Sequence, residues 1–394
     1  VSAKGAETRK TTGFKMARIG IDARYLENES TGIGRYSFNL LRRLLEIDQK
    51  NHYHVFLRPG YSGRFEAPNV TCRTVPYPPI SLGSLLALSW EARRCALDLW
   101  HAHFPVLPLF HGVPSILTVH DLQPLRVPEM AGARPLPLRV GYRMYYGFAY
   151  RWSLARARAV VAVSVSTAFD VKEMFSVPWE KIRVIYEALD ESFRPTRAGS
   201  GLNGSFPGPL PPRFLLYVGS TLPHKNLGNL LRSFSIVLGQ AGMGDLHLVL
   251  AGRKSRFEGH WEQEALRLGV MDRVVRTGYV SARDLPILYE RASAVLCVSR
   301  FEGFGFPALE AMRCGTPVIA ACHGSLPEVV GPAAMWVPPD DPERIAEAVL
   351  RVLQDQDLRA RLKRHGQETV NRFSWLSAAR ETLRLFETVL GEPL

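Results

Sequence analysis

The sequence predicts an α/β protein built from two Rossmann-like, doubly wound units, and three observations carry that expectation. Short, continuous apolar runs alternate with amphipathic helical patterns, as in parallel sheets covered on both faces. The alternation breaks after Asp190 and restarts at Phe214. The chain has 394 residues, more than one ordinary core accommodates.

In the first half, residues 19–23 read as a strand and 34–45 as an amphipathic helix. A strand at 54–57, a helix at 85–97 and strands at 99–103, 115–119 and 160–163 follow. Residues 194–213 are rich in Pro, Gly and Ser and read as a linker. Strands are then expected at 214–218, 246–251, 273–277, 294–298 and 317–320. The last pattern, 375–390, is an amphipathic helix with Ser374 as its N-cap. The expected organisation is a leader (1–15), a first domain (16–193), the linker, a second domain (214–374) and a terminal helix (375–394). The leader is polar, lacks the apolar core of a signal peptide, and is expected to be poorly ordered.

Composition narrows the class. With 46% apolar and 22% charged residues the chain reads as globular, and no apolar stretch is long enough to span a bilayer. The five cysteines (Cys72, Cys95, Cys297, Cys314, Cys322) form no CxxC pair and read as buried free thiols in a reducing cytoplasm. The formal charge of +12 suits phosphorylated substrates or an anionic membrane surface. No basic run is joined to a nucleic-acid motif, so nucleic acid is not an expected partner.

The most informative segment is Ser299-Arg-Phe-Glu-Gly-Phe-Gly-Phe-Pro-Ala-Leu-Glu310. An apolar strand feeds a glycine-rich turn, which feeds a helix. The helix start offers free N–H groups and a positive dipole end, which favour phosphate. Glu302 and Glu310 add acceptors for hydroxyl groups. Donors and carboxylates together suit a nucleotide sugar better than bare phosphate.

Five segments in order now carry a resemblance. They are Thr31-Gly-Ile-Gly-Arg-Tyr36, Thr118-Val-His-Asp-Leu122, Tyr217-Val-Gly-Ser-Thr-Leu-Pro-His-Lys-Asn226, Thr277-Gly-Tyr-Val280, and the Glu302–Glu310 run with Ser325-Leu-Pro-Glu328. Across residues 16–389 the chain resembles the retaining glycosyltransferases of the GT-B fold, family 4. That fold places two Rossmann-like domains across a cleft, with the last helix crossing back to the first domain. The resemblance implies sugar transfer from a nucleotide-diphosphate donor to a glycan or lipid-linked acceptor, with anomeric configuration retained. GDP-mannose is the donor it mildly prefers.

By the same resemblance, Lys225 and His224 face the donor diphosphate, and the ammonium stabilises the leaving phosphate. Glu310 binds ribose. Glu302 reads donor-sugar hydroxyls, with the backbone from Gly303 through Phe304, Gly305 and Phe306 on sugar or phosphate. His120 stands near donor sugar and acceptor, with Asp121 capping or orienting it. Gly32 and Gly34 let the first loop approach the diphosphate. Ser220, Tyr279 and Val280 complete the donor site. The expected catalytic set is His120, Lys225 and Glu302.

The chain also departs from the family. Many relatives carry arginine where Ser220 or His224 stands here, and histidine would make phosphate contact pH-sensitive. After Val184-Ile-Tyr, relatives often carry Asn-Gly, whereas this chain has Glu187-Ala188. No Asp-x-Asp follows a central strand, and Asp340-Asp341 reads as a solvated turn. The expectation is a metal-independent enzyme, with no cofactor beyond the donor. Gly32-Ile-Gly34 fails the dinucleotide fingerprint because Ser37 replaces its third glycine. His101 and His103 read as packing residues rather than a chelate.

Residues 130–169 contain six arginines and no acidic residue. On a helix, Arg139, Arg143 and Arg151 share one line beside Tyr142, Tyr146 and Tyr150. This pattern suits an anionic membrane surface or a lipid-phosphate acceptor, against the plainer reading of solvated arginines over core tyrosines. The expected location is the cytoplasm, peripheral on the inner face of a membrane. Two other readings of the scaffold are a sugar-nucleotide epimerase, which would need no acceptor, and a non-catalytic nucleotide-sugar-binding protein, which would show no turnover.

Overall fold

The computed structural model describes residues 16–28, 31–61, 63, 65–127, 136–190, 193–195 and 209–391. The expectations for the leader and for most of the linker lie outside these residues.

The first domain holds β1 (Arg18–Asp22), α1 (Gly32–Ile47), β2 (His52–Leu57), β3 (Val70–Thr74), α2 (Leu82–Arg94), β4 (Leu99–Ala102), β5 (Ser115–Val119), α3 (Gln123–Arg126), α4 (Leu136–Arg156), β6 (Ala159–Ala162), α5 (Val165–Phe175) and β7 (Ile182–Val184). The second holds β8 (Phe214–Val218), α6 (Leu227–Leu238), β9 (His247–Ala251), α7 (Glu258–Arg267), β10 (Val274–Gly278), α8 (Leu285–Arg291), β11 (Ala294–Cys297), α9 (Phe306–Arg313), β12 (Val318–Ala321), α10 (Leu326–Val330), β13 (Ala334–Val337), α11 (Pro342–Gln354) and α12 (Gln356–Val370). The last helix is α13 (Trp375–Gly391).

Both sheets are wholly parallel. Their orders are β3-β2-β1-β4-β5-β6-β7 and β10-β9-β8-β11-β12-β13. Strand order reverses beside β1 and β8, and these switch points open crevices at the carboxyl ends of the strands. Central strands such as β5 and β6 are buried along their length, as a sheet covered on both faces requires.

Strands β3, β7 and β13 escaped sequence reading. The first two close the edges of one sheet and the third closes an edge of the other. All three are short and partly exposed; β3 and β7 lack a continuous apolar run, whereas β13 is apolar throughout but spans only four residues. Helix α1 begins earlier than its pattern. Thr31 caps it by accepting from Gly34 N at 3.1 Å, which makes the glycine loop the helix's first turn. All five cysteines are free, but Cys72 and Cys322 are exposed and Cys314 is half-buried. Only Cys95 and Cys297 match the expected buried thiols, because the other three fall on a sheet edge, a helix end and a strand-end turn.

Helix α13 lies against the first domain. Trp375 packs on Tyr36 of α1 at 5.8 Å between ring centroids, and Phe386 meets His101 of β4 at 5.5 Å. At the end of β1, Asp22 and Arg24 form a buried two-pronged pair, with both N···O distances 2.7 Å. Arg24 also donates to Tyr77 O and Ser84 Oγ, which ties the start of α2 to the sheet.

Breaking a buried pair strands a charge in a medium that solvates it poorly. Asp22→Ala is therefore expected to lower unfolding free energy by about 3–5 kcal/mol, read from the shift in urea midpoint. A change below about 1 kcal/mol, the range of exposed pairs, would contradict the packing described here.

Candidate functional site

The carboxyl ends of both sheets border a cleft of about 630 Å³. Its second-domain wall is the turn between β11 and α9. Gly305 caps α9 at φ +101°, a left-handed conformation that favours glycine, and a Cβ there would stand 2.6 Å from Leu326 Cδ2. Gly303 rests on the end of β5 so closely that a Cβ would lie 2.2 Å from the His120 carbonyl oxygen. The two domains thus touch backbone to backbone at the floor of the cleft.

Two carboxylates dominate this wall, Glu302 half-buried and Glu310 buried, and each is matched by a cation. Lys225 Nζ donates to Glu302 Oε1 at 2.6 Å, with Ser299 Oγ donating to the same oxygen at 2.7 Å. Burial alone would push the Glu302 carboxyl up, but Lys225 and the Ser299 hydroxyl outweigh it and hold the pKa below the ordinary value. Glu310 is buried on α9. Its Oε1 accepts from Arg35 Nη2 of the first domain and its Oε2 from Tyr289 Oη at 2.7 Å. Burial opposes the charge on Arg35, yet the Glu310 carboxylate prevails and raises its pKa. The Arg35 guanidinium lies 4.7 Å over the Phe306 ring.

On the opposite wall His120 is clamped. Its Nδ1 is 2.8 Å from Glu187 Oε1 and its Nε2 is 3.0 Å from the His103 carbonyl oxygen. The Glu187 carboxylate and the His103 carbonyl thus present acceptors to the two ring nitrogens. Tyr36 packs edge-on against the ring at 4.6 Å. The carboxylate orienting His120 is thus Glu187, from the Glu187-Ala188 departure. Asp121 instead accepts from Gln123 N at 3.0 Å, at the start of α3. His101 and His103 are fully buried, and burial lowers the pKa of His101 to about 3.

The cleft gathers most of the residues singled out in the sequence: Gly32, His120, Ser220, Lys225, Tyr279, Val280, Glu302, Gly303, Phe304, Gly305, Phe306 and Glu310. Two stand outside its lining. Gly34 lies in the first turn of α1, with its N–H given to Thr31. His224 is buried, neither ring nitrogen has a hydrogen-bond partner among the described residues, and burial lowers its pKa to about 4. Its backbone, rather than its ring, joins the neighbouring turn, where Arg300 N donates to His224 O. Arg139, Arg143 and Arg151 are exposed on α4, away from the cleft lining.

Sequence reasoning missed Arg35, Glu187 and Arg253 as lining residues. Arg35 lies inside the Thr31–Tyr36 segment, whose local signal is its glycines. Glu187 was seen only as a departure, and Arg253, 4.8 Å over the Tyr279 ring, carries no local signal. Among the described residues no group of three or more His, Cys, Asp or Glu side chains could hold a metal ion.

Comparisons with known proteins agree with this geometry. The family model for glycosyl transferases group 1 matches residues 205–369, and that for glycosyltransferase family 4 matches residues 30–193. O-antigen chain mannosyltransferase B of Escherichia coli is 28% identical over 391 residues, covering 91% of this chain and 96% of that protein. The MMP alpha-(1->4)-mannosyltransferase of Mycolicibacterium hassiacum is 30% identical over 289 residues, covering 71% of this chain and 66% of that protein. In fold, sucrose-phosphate synthase from Thermosynechococcus elongatus superposes with a TM-score of 0.74 at 21% identity, covering 95% of this chain and 99% of that one. WaaG, a glycosyltransferase involved in lipopolysaccharide biosynthesis, gives 0.70 at 14% identity, covering 93% and 99%.

The Lys225–Glu302 pair sets a pH dependence. Glu302 has a depressed folded pKa, so its contribution to stability is present above the unfolded value of about 4.3 and fades as pH falls below it. Lys225→Met strands the carboxylate only while it is charged. The stability gap between wild type and this variant should be large at neutral pH and shrink below about pH 4. Denaturation across a pH series measures it, and a gap independent of pH would contradict the pairing.

Proposed function

The chain belongs to glycosyltransferase family 4, with the GT-B architecture, and we propose that it transfers a hexose with retained configuration from a nucleotide-diphosphate sugar to a glycan or lipid-linked acceptor. GDP-mannose is the proposed donor, supported by relatives named as mannosyltransferases. The observation that carries the reading is the convergence of Lys225, Glu302, Glu310 and the start of α9 on one wall of the cleft, opposite His120.

Each residue then has a task. Lys225 and the N-terminal end of α9 take the diphosphate and stabilise charge as the bond from the anomeric carbon to phosphate breaks. Glu302 accepts hydroxyls of the donor sugar and Glu310 those of the ribose. Tyr279 and Val280 border the nucleotide, with Ser220 at the phosphates. His120, held by Glu187, faces the donor sugar from the acceptor side. The acceptor oxygen bonds to the same face of the anomeric carbon, and its proton passes to a leaving phosphate oxygen. Cations and helix dipole supply the charge stabilisation that a divalent ion supplies elsewhere, so the reaction is proposed to be metal-independent.

The exposed face of α4 supports a membrane-bound acceptor. Arg139, Arg143 and Arg151 are exposed there beside Leu138, Met144 and Phe148, while Tyr150 is buried and Tyr146 half-buried. Among the described residues no helix is long and apolar enough to cross a membrane. The proposed contact is peripheral, at the cytoplasmic face.

Two experiments test this reading. In a donor screen, GDP-mannose should raise the melting temperature, since only the folded state binds it. Transfer to candidate lipid or glycan acceptors should persist in EDTA and fall about a hundredfold or more in Glu302→Ala. Activity lost to chelator and restored by magnesium would overturn metal independence; no stabilisation by any nucleotide sugar would overturn the reading as a whole. In sedimentation with anionic vesicles, joint replacement of Arg139, Arg143 and Arg151 by Glu should abolish a salt-sensitive association. Binding that is equal on neutral vesicles would rule out that surface.

A further inference from the structure

Resting on the reading of the cleft as a nucleotide-sugar site, we propose that Arg35 is a latch on the ribose-binding carboxylate: it pairs with Glu310 and transfers to the donor's diphosphate when ribose takes its place. The residue thereby makes ribose and diphosphate binding depend on each other.

Occupancy of Glu310 motivates this. Both of its oxygens are engaged, Oε1 by Arg35 and Oε2 by the Tyr289 hydroxyl. The Glu310 side chain is only 2% exposed, so a ribose, whose two neighbouring hydroxyls need an acceptor, reaches it only if a covering partner yields. Tyr289 is fixed: it is fully buried in the same domain, and its carbonyl accepts from Thr316 Oγ1 at 2.7 Å. Arg35 comes from the opposite domain, on the first turn of α1, and its side chain is 28% exposed. It is the partner able to leave.

The surroundings indicate where it goes. Its guanidinium lies over Phe306, the first residue of α9, at a helix end that favours anions rather than cations. The Glu310 carboxylate and the ring face offset that placement, with the Glu187 carboxylate adding to the favourable field. A diphosphate entering beside Lys225 and the end of α9 offers the guanidinium phosphate oxygens, which its planar fork can grip in pairs. With a diphosphate attached, ribose displaces an arginine that has somewhere to go. A nucleoside alone must displace it into nothing.

Calorimetric titration of the full chain with GDP, guanosine, UDP and uridine tests the exchange. In the wild type the diphosphate of the preferred base should bind far more tightly than its nucleoside. In Arg35→Met, nucleoside binding should tighten, because Glu310 has lost its resident cation, while diphosphate binding weakens about tenfold or more. Arg35→Lys keeps a cation against Glu310 and so protects the fold, but it loses the fork and should weaken diphosphate binding in the same direction. Opposite movement of nucleoside and diphosphate in the Met variant is the supporting result. Parallel changes in both ligands, or an unchanged ratio in whichever variant melts like the wild type, overturn the latch alone. If the wild type binds none of the four ligands, the nucleotide-sugar reading falls and the latch with it.

Discussion

Two carboxylates border the cleft, Glu302 and Glu310, and a cation stands against each. Their partners come from different places. Lys225 lies in the same domain as Glu302, on the turn after β8, whereas Arg35 reaches Glu310 from the first domain. A lone buried carboxylate costs several kcal/mol, so the pairing requirement constrains where the surrounding elements can sit. The turn before α9 must stay close to α1, and the loop after β8 must stay close to the turn after β11. The same requirement leaves charged groups ready for a ligand that offers both hydroxyls and phosphate.

Other contacts hold the domains in this relation. Gly303 meets the His120 carbonyl at a distance that excludes any side chain. Glu328 of the second domain accepts from Val165 N and Ser166 N, both at 2.8 Å, and from the Tyr186 hydroxyl at 3.0 Å, and so caps α5 of the first domain. Carboxylates at helix N-termini are stabilising because they meet free N–H groups and the positive dipole end. Helix α13 adds an apolar contact through Trp375 and Phe386. Polar straps and one apolar brace thus surround a cleft whose floor is backbone.

His120 illustrates how a departure from a family pattern gains meaning from its surroundings. Glu187 places a carboxylate 2.8 Å from one ring nitrogen, and the His103 carbonyl meets the other. The ring is held by acceptors on both sides and braced by Tyr36. This fixes its orientation toward the cleft more tightly than a strand-end histidine with free nitrogens would be. The neighbouring His103 has no hydrogen-bond partner for either ring nitrogen among the described residues, so the acceptor role falls to its backbone alone.

By itself the sequence determined the two parallel-sheet units, most of their central strands and twelve of the cleft-lining residues. Apolar runs such as Ser115–Val119 and the glycine-aromatic turn before α9 carry their signals locally, within one strand or one turn of helix. Edge strands β3 and β7 were invisible because half-exposed pairing leaves no continuous apolar run. Only the tertiary structure decided that His224 turns into the interior while Lys225 faces the cleft, since the path of a short turn depends on what packs beneath it. Only it revealed Arg35 against Glu310 and Glu187 against His120. Those partners are separated by 275 and 67 positions, and no local pattern encodes an ion pair formed when distant segments fold together.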